Sequence, residues 1–584
     1  MTGYDVIIRG GRWFDGTGAP SAIRDIGVRG GRIIAVSEQP LSGPATEVID
    51  AAGKWVLPGF VDIHTHYDAE VLVAPGLTES VRHGVTTVIF GNCSLSTVYS
   101  GPQDAADMFS RVEAVPRVQV LDALRRHKTW QTPAEYVAAL ESLPLGPNLA
   151  LSLGHSDMRA AVMGLDRASR RGVRATAAEL TRMRQMLGHA LDAGFVGLST
   201  MRNPWNKLDG DRFRSRQLPS TFAPWHEYRA LHQVLRERGA VLQSVPNLST
   251  KIGILCYLAE AAGLFRKPVR TTLLSAADPK SNPRLARVIP ASARLLNKLA
   301  RADLRWQHLP VPFEIYADGI SLPVFEEFGS GQAALHIADE MGRQELFRSE
   351  EYRRRFRRDI ERRFTPRVWT RDLHDAEIVS CPDNGTIGLS FGQVAEQRSL
   401  HPADAFLDLL AEHGPKLRWR TTVANHRPDV LDALAADDGV LIGFSDAGAH
   451  LRNLAFYNFN LRLLKRVNDA VRTGREFLSL ERAVHRLTGE LADFYRLDAR
   501  HARAGDRADL VVVDPEGLDE SVDDYAEADM PEFGGLRRMV NRNDRAVRAT
   551  LINGRVVYAL GQFAPGYGAT ERTGAVLRPV PDPT

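Results

Sequence analysis

The chain contains few cysteines for its length. Three occur among 584 residues, at positions 93, 256 and 381, and they are widely separated and odd in number. This pattern excludes the disulfide framework on which small secreted domains depend. We therefore expect a reducing compartment, with the cytoplasm as the default.

Long hydrophobic runs and a strong excess of one charge are also missing. No stretch approaches the roughly eighteen consecutive apolar residues of a membrane-spanning helix, and the first residues lack the basic and apolar regions of a secretion signal. Lysine and arginine number 74 against 71 acidic residues, a formal net charge of +3. So small a balance does not indicate a polyanionic partner. The sequence predicts no membrane and no nucleic-acid partner, and it leaves a homo-oligomer open.

The composition is that of an ordinary globular protein, with 44% hydrophobic and 25% charged residues. Short β-rich runs separated by glycine turns occupy the first 50 residues and return only near the far end, where Asn553-Gly554 is a strong hairpin signal. We expect the two ends to pair into one small β-sandwich domain made of residues 1–56 and 500–570. Residues 571–584 are predicted to be a tail.

Between these ends, strand-length apolar runs alternate with helix-length amphipathic stretches. The run at 148–153, the helical pattern at 177–193 and the run at 195–199 are one example. Such alternation is typical of βαβ units around a parallel sheet. We therefore predict an α/β fold, a (β/α)8 TIM barrel over residues 57–499, with an inserted and largely helical segment at about 275–375.

Two histidines give the strongest chemical signal in the sequence. His64 and His66 end the apolar run Gly59-Phe-Val-Asp-Ile-His-Thr-His-Tyr-Asp68. Side chains at positions i and i+2 of a strand lie on the same face, so both imidazoles can point into a barrel mouth and share one cation. The alternative is two half-exposed histidines on a surface strand.

This arrangement, a small split β-module around a barrel whose first strand ends His-X-His, resembles the metal-dependent amidohydrolase superfamily. Other segments are similar to its N-acyl-D-amino-acid deacylase branch, over about the first 100 residues, 148–200 and 440–560. The matching segments are Gly84-Val-Thr-Thr-Val-Ile-Phe-Gly-Asn-Cys93, Gly154-His155, Arg159-Ala-Ala-Val-Met-Gly164, Gly194-Phe-Val-Gly-Leu-Ser-Thr200, Gly443-Phe-Ser-Asp-Ala-Gly-Ala-His450, Arg486-Leu-Thr488, Gly505-Asp-Arg-Ala-Asp-Leu510 and Ile552-Asn-Gly-Arg-Val-Val557.

The resemblance assigns roles to two further residues. Cys93 follows an apolar strand, where the cysteine of this branch binds metal; a buried packing role is the alternative. Asp446 closes the run Val440-Leu-Ile-Gly-Phe-Ser-Asp446, as the aspartate of the last barrel strand does in the superfamily. It is therefore the predicted metal ligand and general base, with a helix cap as its alternative.

The sequence departs from the branch at two strands. The fifth and sixth strands of the deacylases end in histidines that hold the tighter of two metal positions. Here Ser244 or Val245 stands at the fifth strand and Leu273 at the sixth, and neither binds a metal as imidazole does. Both a one-metal and a two-metal site therefore stay open.

Five other residues are candidates for a further metal or substrate contact. His155 and His450 lie near predicted strand ends, where a histidine binds metal, contacts substrate or bonds to a loop. Arg159, Arg202 and Arg452 are candidates for the carboxylate of a substrate, although an exposed arginine is often simply solvated.

Together these features predict a hydrolase that uses one Zn²⁺, or two, held by His64, His66, Cys93 and Asp446. The resemblance implies a small-molecule substrate with a linear amide, an N-acyl-D-amino acid cleaved to a carboxylate and a D-amino acid. Another small or cyclic amide or a dipeptide is the alternative within this class, because loops select substrates on a shared fold. The alternative from a different class is a noncatalytic barrel with a degenerate metal site.

Overall fold

The computed structural model describes residues 3–247, 251–362, 365–499 and 501–580. Within these ranges, eight parallel strands form one curled sheet in sequential order, with the last strand beside the seventh. This is the predicted α/β barrel. From the first to the eighth, the barrel strands are Phe60–Asp62, Val85–Phe90, Asn148–Gly154, Gly197–Met201, Val241–Val245, Arg270–Leu274, Leu304–His308 and Val440–Ile442.

The barrel closes just beyond the ends of its first and eighth strands. Ile63 donates its backbone N–H to the carbonyl of Gly443 (3.1 Å), and His66 donates to Ala447 (2.7 Å). A side-chain hydrogen bond also joins the two strands here, because the carboxylate of Asp62 accepts from the hydroxyl of Ser445. The closing segments are therefore the ones that contain the histidine pair and the predicted base.

Helices cover the outside of the barrel, and local sequence explains where they begin. Thr176 and Glu179 form a capping box at the start of Ala177–Asp192, a device that stabilises a helix by about 1 kcal/mol. This helix buries Met183, Met186 and Leu187 at the spacing of one helical face. The helices are Glu70–Val73, Thr78–Val81, Pro102–Phe109, Arg117–His127, Pro133–Glu141, His155–Met163, Leu165–Ala168, Ala177–Asp192, Trp225–Arg238, Lys251–Ala261, Leu285–Ala300, Gly329–His336, Glu340–Arg348, Glu350–Glu361, Phe391–Arg398, Pro402–His413, Pro428–Ala436, Phe459–Arg472, Leu480–Leu487 and Gly489–Tyr495.

Strands from both chain ends form one mixed sheet, where the sequence predicts a β-sandwich made of residues 1–56 and 500–570. The central contact is antiparallel, between Trp55–Pro58 and Leu510–Val513. Asn553 and Gly554 turn the predicted hairpin, with φ of +50° and +76°. The strands of this sheet in the described ranges are Tyr4–Trp13, Ala22–Arg29, Arg32–Ser37, Ala45–Asp50, Trp55–Pro58, Leu510–Val513, Val547–Ile552, Arg555–Ala559 and Gln562–Phe563.

Asp509 joins this sheet to the base of the barrel. Its carboxylate accepts hydrogen bonds from Asn148 (2.9 Å), from Arg507 (2.9 Å) and from the backbone N–H of Asn553 (2.6 Å). Its carbonyl accepts one from Gly59, next to the first barrel strand (2.8 Å). One buried aspartate thus connects the third barrel strand, the first barrel strand and the C-terminal hairpin.

The predicted insertion at 275–375 differs from the observed one. The seventh barrel strand, Leu304–His308, lies inside that range, and the extra segment runs from there to the eighth strand. It contains helices and also an antiparallel sheet of Phe313–Asp318, Glu377–Ser380 and Arg418–Ala424. Buried parallel strands are usually continuous apolar runs. The barrel strand Leu304-Arg-Trp-Gln-His308 mixes polar and apolar residues, so its sequence does not predict a strand.

The segment predicted as a tail packs on the barrel as far as it is described. Leu149 donates to the carbonyl of Ala575 (2.9 Å) and accepts from Leu577 (2.8 Å), which is buried. Residues 1, 2, 500 and 581–584, which belong to the predicted domain ranges and tail, lie outside the described residues. A remaining hairpin pairs Tyr525–Met530 with Leu536–Asn541. Among the described helices, none has the length and apolar character to cross a bilayer.

Candidate metal centre

The two predicted histidines meet Cys93 at the carboxyl ends of the first and second barrel strands. One ligand atom from each of the three residues lies within 4.8 Å of the others, and all three side chains are buried. The Sγ of Cys93 is 3.3 Å from Nε2 of His64. Two imidazole nitrogens and one sulfur at this spacing form a donor set that suits zinc.

Asp446, four residues beyond the end of the eighth strand, lies beside this group. Its Oδ1 lies 3.5 Å from Nε2 of His64 and 3.5 Å from Nε2 of His66. The structure therefore places Asp446 beside the two histidines that meet Cys93, and these four predicted ligands lie just beyond the ends of three different strands. Their arrangement at the carboxyl end of a barrel matches the place where such folds build their active sites.

Strained backbone surrounds the same group. Cys93, Ser94, Asp446 and His450 all have left-handed φ values between +51° and +69°. Each such residue costs on the order of 1–3 kcal/mol and persists only where its surroundings hold it in place. Position 448 requires glycine, because its φ is +88° and a Cβ there would lie 2.7 Å from the carbonyl of His66.

Glu113 is a member of the cluster that the sequence analysis missed. It lies in the turn after helix Pro102–Phe109, and its Oε2 is 3.5 Å from Nε2 of His66 and 3.9 Å from Nε2 of His450. The side chain is 3% exposed. No strand precedes it and no metal-binding spacing surrounds it, so no signal in a single sequence could have distinguished it from other glutamates.

The protonation states of these groups fit a cation site. Burial lowers the pKa of His64 to about 4 and that of His66 to about 3, so both imidazoles are neutral at pH 7 and retain a free lone pair. Burial also raises the pKa of Asp446 and raises the pKa values of Cys93 and Glu113 well above their usual range. In the described ranges, no lysine or arginine pairs with either carboxylate. A divalent cation would supply the missing positive charge.

Two glutamines support the site from within the barrel. Gln307 Oε1 accepts a hydrogen bond from Nδ1 of His64 (2.6 Å), and Gln243 Oε1 accepts one from the backbone N–H of Cys93 (3.1 Å). The first contact places the proton of His64 on Nδ1 and leaves Nε2 free to bind metal.

At the fifth and sixth strands the structure agrees with the predicted loss of the histidines. Ser244 is paired with Leu273 across the sheet and forms a hydrogen bond with Thr200 (2.8 Å). Leu273 is fully buried. Neither position carries an imidazole, and Val245 is buried as well.

His155 and Arg159 belong to a separate buried cluster. His155 Nε2 is 2.9 Å from Oε1 of Glu227, and Arg159 Nε is 3.2 Å from the same oxygen. Arg159 also donates to the carbonyl of Pro219 (3.0 Å). The expectation that either contacts metal or substrate finds no support in these contacts, because each is already engaged with a neighbouring helix or loop.

Two other predicted residues are occupied elsewhere. Arg452 forms ion pairs with Asp318 (2.8 Å) and Glu527 (2.9 Å), so it joins the inserted sheet to the C-terminal hairpin rather than facing a substrate. Arg202 stacks over the ring of Tyr228 at 4.8 Å. Of the additional candidates, His450 alone lies beside the metal group within the described part of the chain.

A cavity of about 570 Å³ opens next to His450. Its apolar wall includes Val112, Leu322 and Ile337, and its cationic groups include Lys207 and Arg214. This volume is in the range that small-molecule sites occupy. Lys207 Nζ lies 3.3 Å from Glu326, and the sequence analysis did not identify this lysine.

Comparisons of sequence place the chain among known proteins. Residues 47–214 match the model of the Amidohydrolase family. An uncharacterised protein of Mycobacterium tuberculosis (strain H37Rv) is 57% identical over 98% of this chain and 96% of its own length. The D-aminoacylase of Alcaligenes xylosoxydans xylosoxydans is 35% identical over 201 residues, which are 34% of this chain and 37% of that enzyme.

Solved structures show the same fold. The N-acyl-D-glutamate deacylase of Bordetella bronchiseptica, solved with zinc and a phosphonate inhibitor, matches 99% of this chain and 100% of its own with a TM-score of 0.64 and 24% identity. A D-aminoacylase structure matches 98% of this chain and 100% of its own with a TM-score of 0.63 and 22% identity. At these identities the likeness concerns the architecture of the barrel.

Proposed function

We propose that this chain is a zinc-dependent hydrolase of a linear amide in the D-aminoacylase branch of the amidohydrolase family, which the family match at residues 47–214 and the D-aminoacylase relative support. The proposed substrate is an N-acyl-D-amino acid, and the products are a carboxylate and a D-amino acid. The single observation that carries this proposal is the group His64, His66 and Cys93 within 4.8 Å, with Asp446 beside both histidines.

The proposed metal ligands are His64, His66, Cys93 and Asp446. Neutral imidazoles, a thiol and a carboxylate provide the mixed nitrogen, sulfur and oxygen donors that zinc prefers over magnesium or calcium. When bound, zinc supplies Lewis-acid chemistry, polarising the scissile carbonyl and making water easier to deprotonate.

Asp446 is the proposed general base. Its backbone N–H donates to the carbonyl of His64 (3.1 Å), and this contact fixes the carboxylate at the barrel mouth. The carboxylate takes a proton from the attacking water and delivers it to the leaving nitrogen as the C–N bond breaks. The side chain of Asp446 is only 13% exposed, and this limits the access of bulk water to the exchange.

The cavity beside His450 is the proposed substrate site. A free carboxylate is common to N-acyl-amino acids, and Lys207, whose contact with Glu326 spans 3.3 Å, is the cationic group of the cavity proposed to attract it. The apolar wall suits an acyl group or an apolar side chain. The matched relatives named N-acyl-D-aspartate deacylase and N-acyl-D-glutamate deacylase, both from Alcaligenes xylosoxydans xylosoxydans, support the substrate class through alignments that cover 34% of this chain.

The test begins with metal content. Protein purified without added metal is analysed for zinc, beside the double variant His64→Ala with Asp446→Ala, and both are assayed on matched N-acetyl-D- and N-acetyl-L-amino acids. We expect one zinc per chain, lost in the variant, and release of free amine from the D-substrates only. Hydrolysis of the L-series instead would overturn the proposed stereochemistry while leaving the amide hydrolase in place.

A noncatalytic barrel is the second candidate, and one observation favours it. Where the resemblance implies two histidines, Ser244 carries a hydroxyl that accepts a hydrogen bond from Thr200 and Leu273 carries an apolar side chain. If purified protein holds no zinc, and added zinc gives no hydrolysis of any N-acyl-amino acid, this binding-protein hypothesis takes the place of the hydrolase. A cytoplasmic location and a homo-oligomeric state stay predictions.

A further inference from the structure

Glu113 is a buried acid for which the described structure provides no cationic partner. The side chain is 3% exposed, and the groups that pair with it are the rings of His66 and His450. Its other carboxylate oxygen, Oε1, has no hydrogen-bond partner. Burying an unpaired carboxylate costs several kcal/mol, so an acid in this position requires either a proton or a cation.

The distances around Glu113 match those between ligands of one cation. With metal–ligand bonds of about 2.0–2.2 Å, neighbouring ligands of a tetrahedral site lie roughly 3.3–3.6 Å apart. Glu113 Oε2 is 3.5 Å from Nε2 of His66, the same separation that joins His66 to Asp446. Two carboxylate oxygens, one from Glu113 and one from Asp446, therefore lie at ligand-to-ligand distance from Nε2 of His66.

The turn that presents Glu113 is fixed at several points. The backbone N–H of Glu113 donates to Phe109 (3.0 Å), and its carbonyl accepts from the N–H of His450 (2.5 Å). The neighbouring Arg111 donates to Glu326 (2.8 Å) and to Ser215 (2.7 Å). The placement of this carboxylate is thus part of the fold, because the turn is bonded to the eighth strand's loop and to the inserted segment.

We propose that Glu113 is a metal ligand of this chain, and that it binds the same zinc or similar divalent cation as His66 and Asp446. This inference rests on the metal site put forward under the proposed function. It gives the chain an oxygen donor from the connection after the second strand, in a protein whose fifth and sixth strands carry Ser244 and Leu273 instead of histidines.

Two variants of Glu113 and one control test the assignment. Glu113→Gln keeps the shape and removes the charge, while Glu113→Asp keeps the carboxylate on a shorter side chain. Glu79→Gln is the matched control, since Glu79 is also buried but is paired with Arg542 (3.0 Å) away from the metal group. Zinc affinity is measured by competition with a chromophoric chelator, the Co²⁺-loaded proteins are compared by visible absorption, and the melting temperatures of the metal-free proteins are recorded.

We expect Glu113→Gln to weaken zinc binding at least tenfold and to change the Co²⁺ spectrum, with Glu113→Asp intermediate. The metal-free Glu113→Gln protein should melt no lower than the original, because without metal the buried side chain has no lysine or arginine partner to lose. Glu79→Gln should lower the melting temperature and leave zinc affinity within about twofold, since it breaks a structural ion pair.

Each other result overturns the assignment. Unchanged zinc affinity with an unchanged Co²⁺ spectrum in Glu113→Gln would show that the carboxylate does not bind metal. A loss of metal-free stability as large as that in Glu79→Gln would make Glu113 a structural residue. If the original protein itself binds no zinc, the proposed metal-dependent function fails together with this inference, whereas normal zinc binding in Glu113→Gln removes the inference alone.

Discussion

Gln307 and His64 are joined by a 2.6 Å hydrogen bond between Oε1 and Nδ1, on the far side of the imidazole from Cys93. Gln307 lies on the seventh barrel strand, so a strand that gives no metal ligand still decides how the first strand's histidine is oriented. Because the amide oxygen can only accept, it keeps the ring proton on Nδ1 and the lone pair on Nε2.

Removing that acceptor should weaken the metal site. We expect Gln307→Leu to raise the Kd for zinc by about 10- to 100-fold, the usual effect of losing the partner behind a metal-binding histidine. Gln307→Glu retains an acceptor oxygen and should stay closer to the original affinity. Chelator competition at one pH provides the comparison, and equal affinities in Gln307→Leu and the original protein would contradict the role assigned to Gln307.

Lys207 should affect substrate binding more than the chemical step. It lines the cavity beside His450 and is held 3.3 Å from Glu326. Lys207→Met is expected to raise KM for an N-acyl-amino acid about tenfold with little change in kcat, because an interaction with the carboxylate is present in both ground and transition states. The corresponding N-acyl-amino acid amides, which lack the charge, serve as control substrates. A drop in kcat alone would place Lys207 outside substrate recognition.

Glu260 should contribute a pH-dependent part of the stability. Burial raises the pKa of Glu260, but the neighbouring His232, Arg236 and Arg266 outweigh burial and lower this pKa to about 2. A carboxyl with a lowered folded-state pKa stabilises the fold above its unfolded pKa of about 4.5, and this contribution disappears as the pH falls toward 2. After an allowance for solvent screening, Glu260→Gln should reduce the free energy of unfolding by about 1–2 kcal/mol at pH 7.

Urea titrations of Glu260→Gln and the original protein at pH 7, 5 and 3.5 give the check. The gap between the two midpoints should be largest at pH 7 and smallest at pH 3.5. A gap that widened on acidification would have the wrong sign for a lowered pKa and would refute the ion-pair explanation.

Asp509 should be important for stability although it lies far from the metal group. Its carboxylate accepts from Asn148, Arg507 and Asn553, and its replacement leaves these donors unpaired in a buried setting. We expect Asp509→Ala to lower the free energy of unfolding by about 3 kcal/mol. Asp498→Ala removes the exposed pair with Arg32 and should cost less than about 1 kcal/mol. Thermal melts of both variants test the contrast, and similar losses would argue against the joining role of Asp509.

The sequence predicts the part of the site that follows from strand periodicity. His64 and His66 share a face because they are two residues apart on a strand, and Cys93 and Asp446 end apolar runs that become strands two and eight. Glu113 could not be predicted, because its place depends on a turn held by His450, which lies over 300 residues away in the chain. Long-range hydrogen bonds of this kind leave no local pattern.

The same limit explains the errors in the fold prediction and in the candidate arginines. Leu304–His308 alternates large and polar side chains in a barrel strand whose Gln307 bonds to His64 of the metal group, so its sequence pattern does not indicate a buried strand. Arg452 is adjacent in sequence to the metal-site loop, but Asp318 and Glu527 compete for its guanidinium. Sequence proximity to a site did not indicate which way that side chain turns.

The hydrogen bonds that close the barrel have a consequence for the synthesis of the protein. Asp62 and Ser445, which meet across the closure, are 383 positions apart in the chain. A nascent polypeptide that has both histidines and the cysteine still lacks the aspartate and the strand that seals the cylinder. A ribosome must therefore complete about three quarters of the chain before the four proposed ligands can meet, and a product terminated earlier should lack the proposed hydrolase activity.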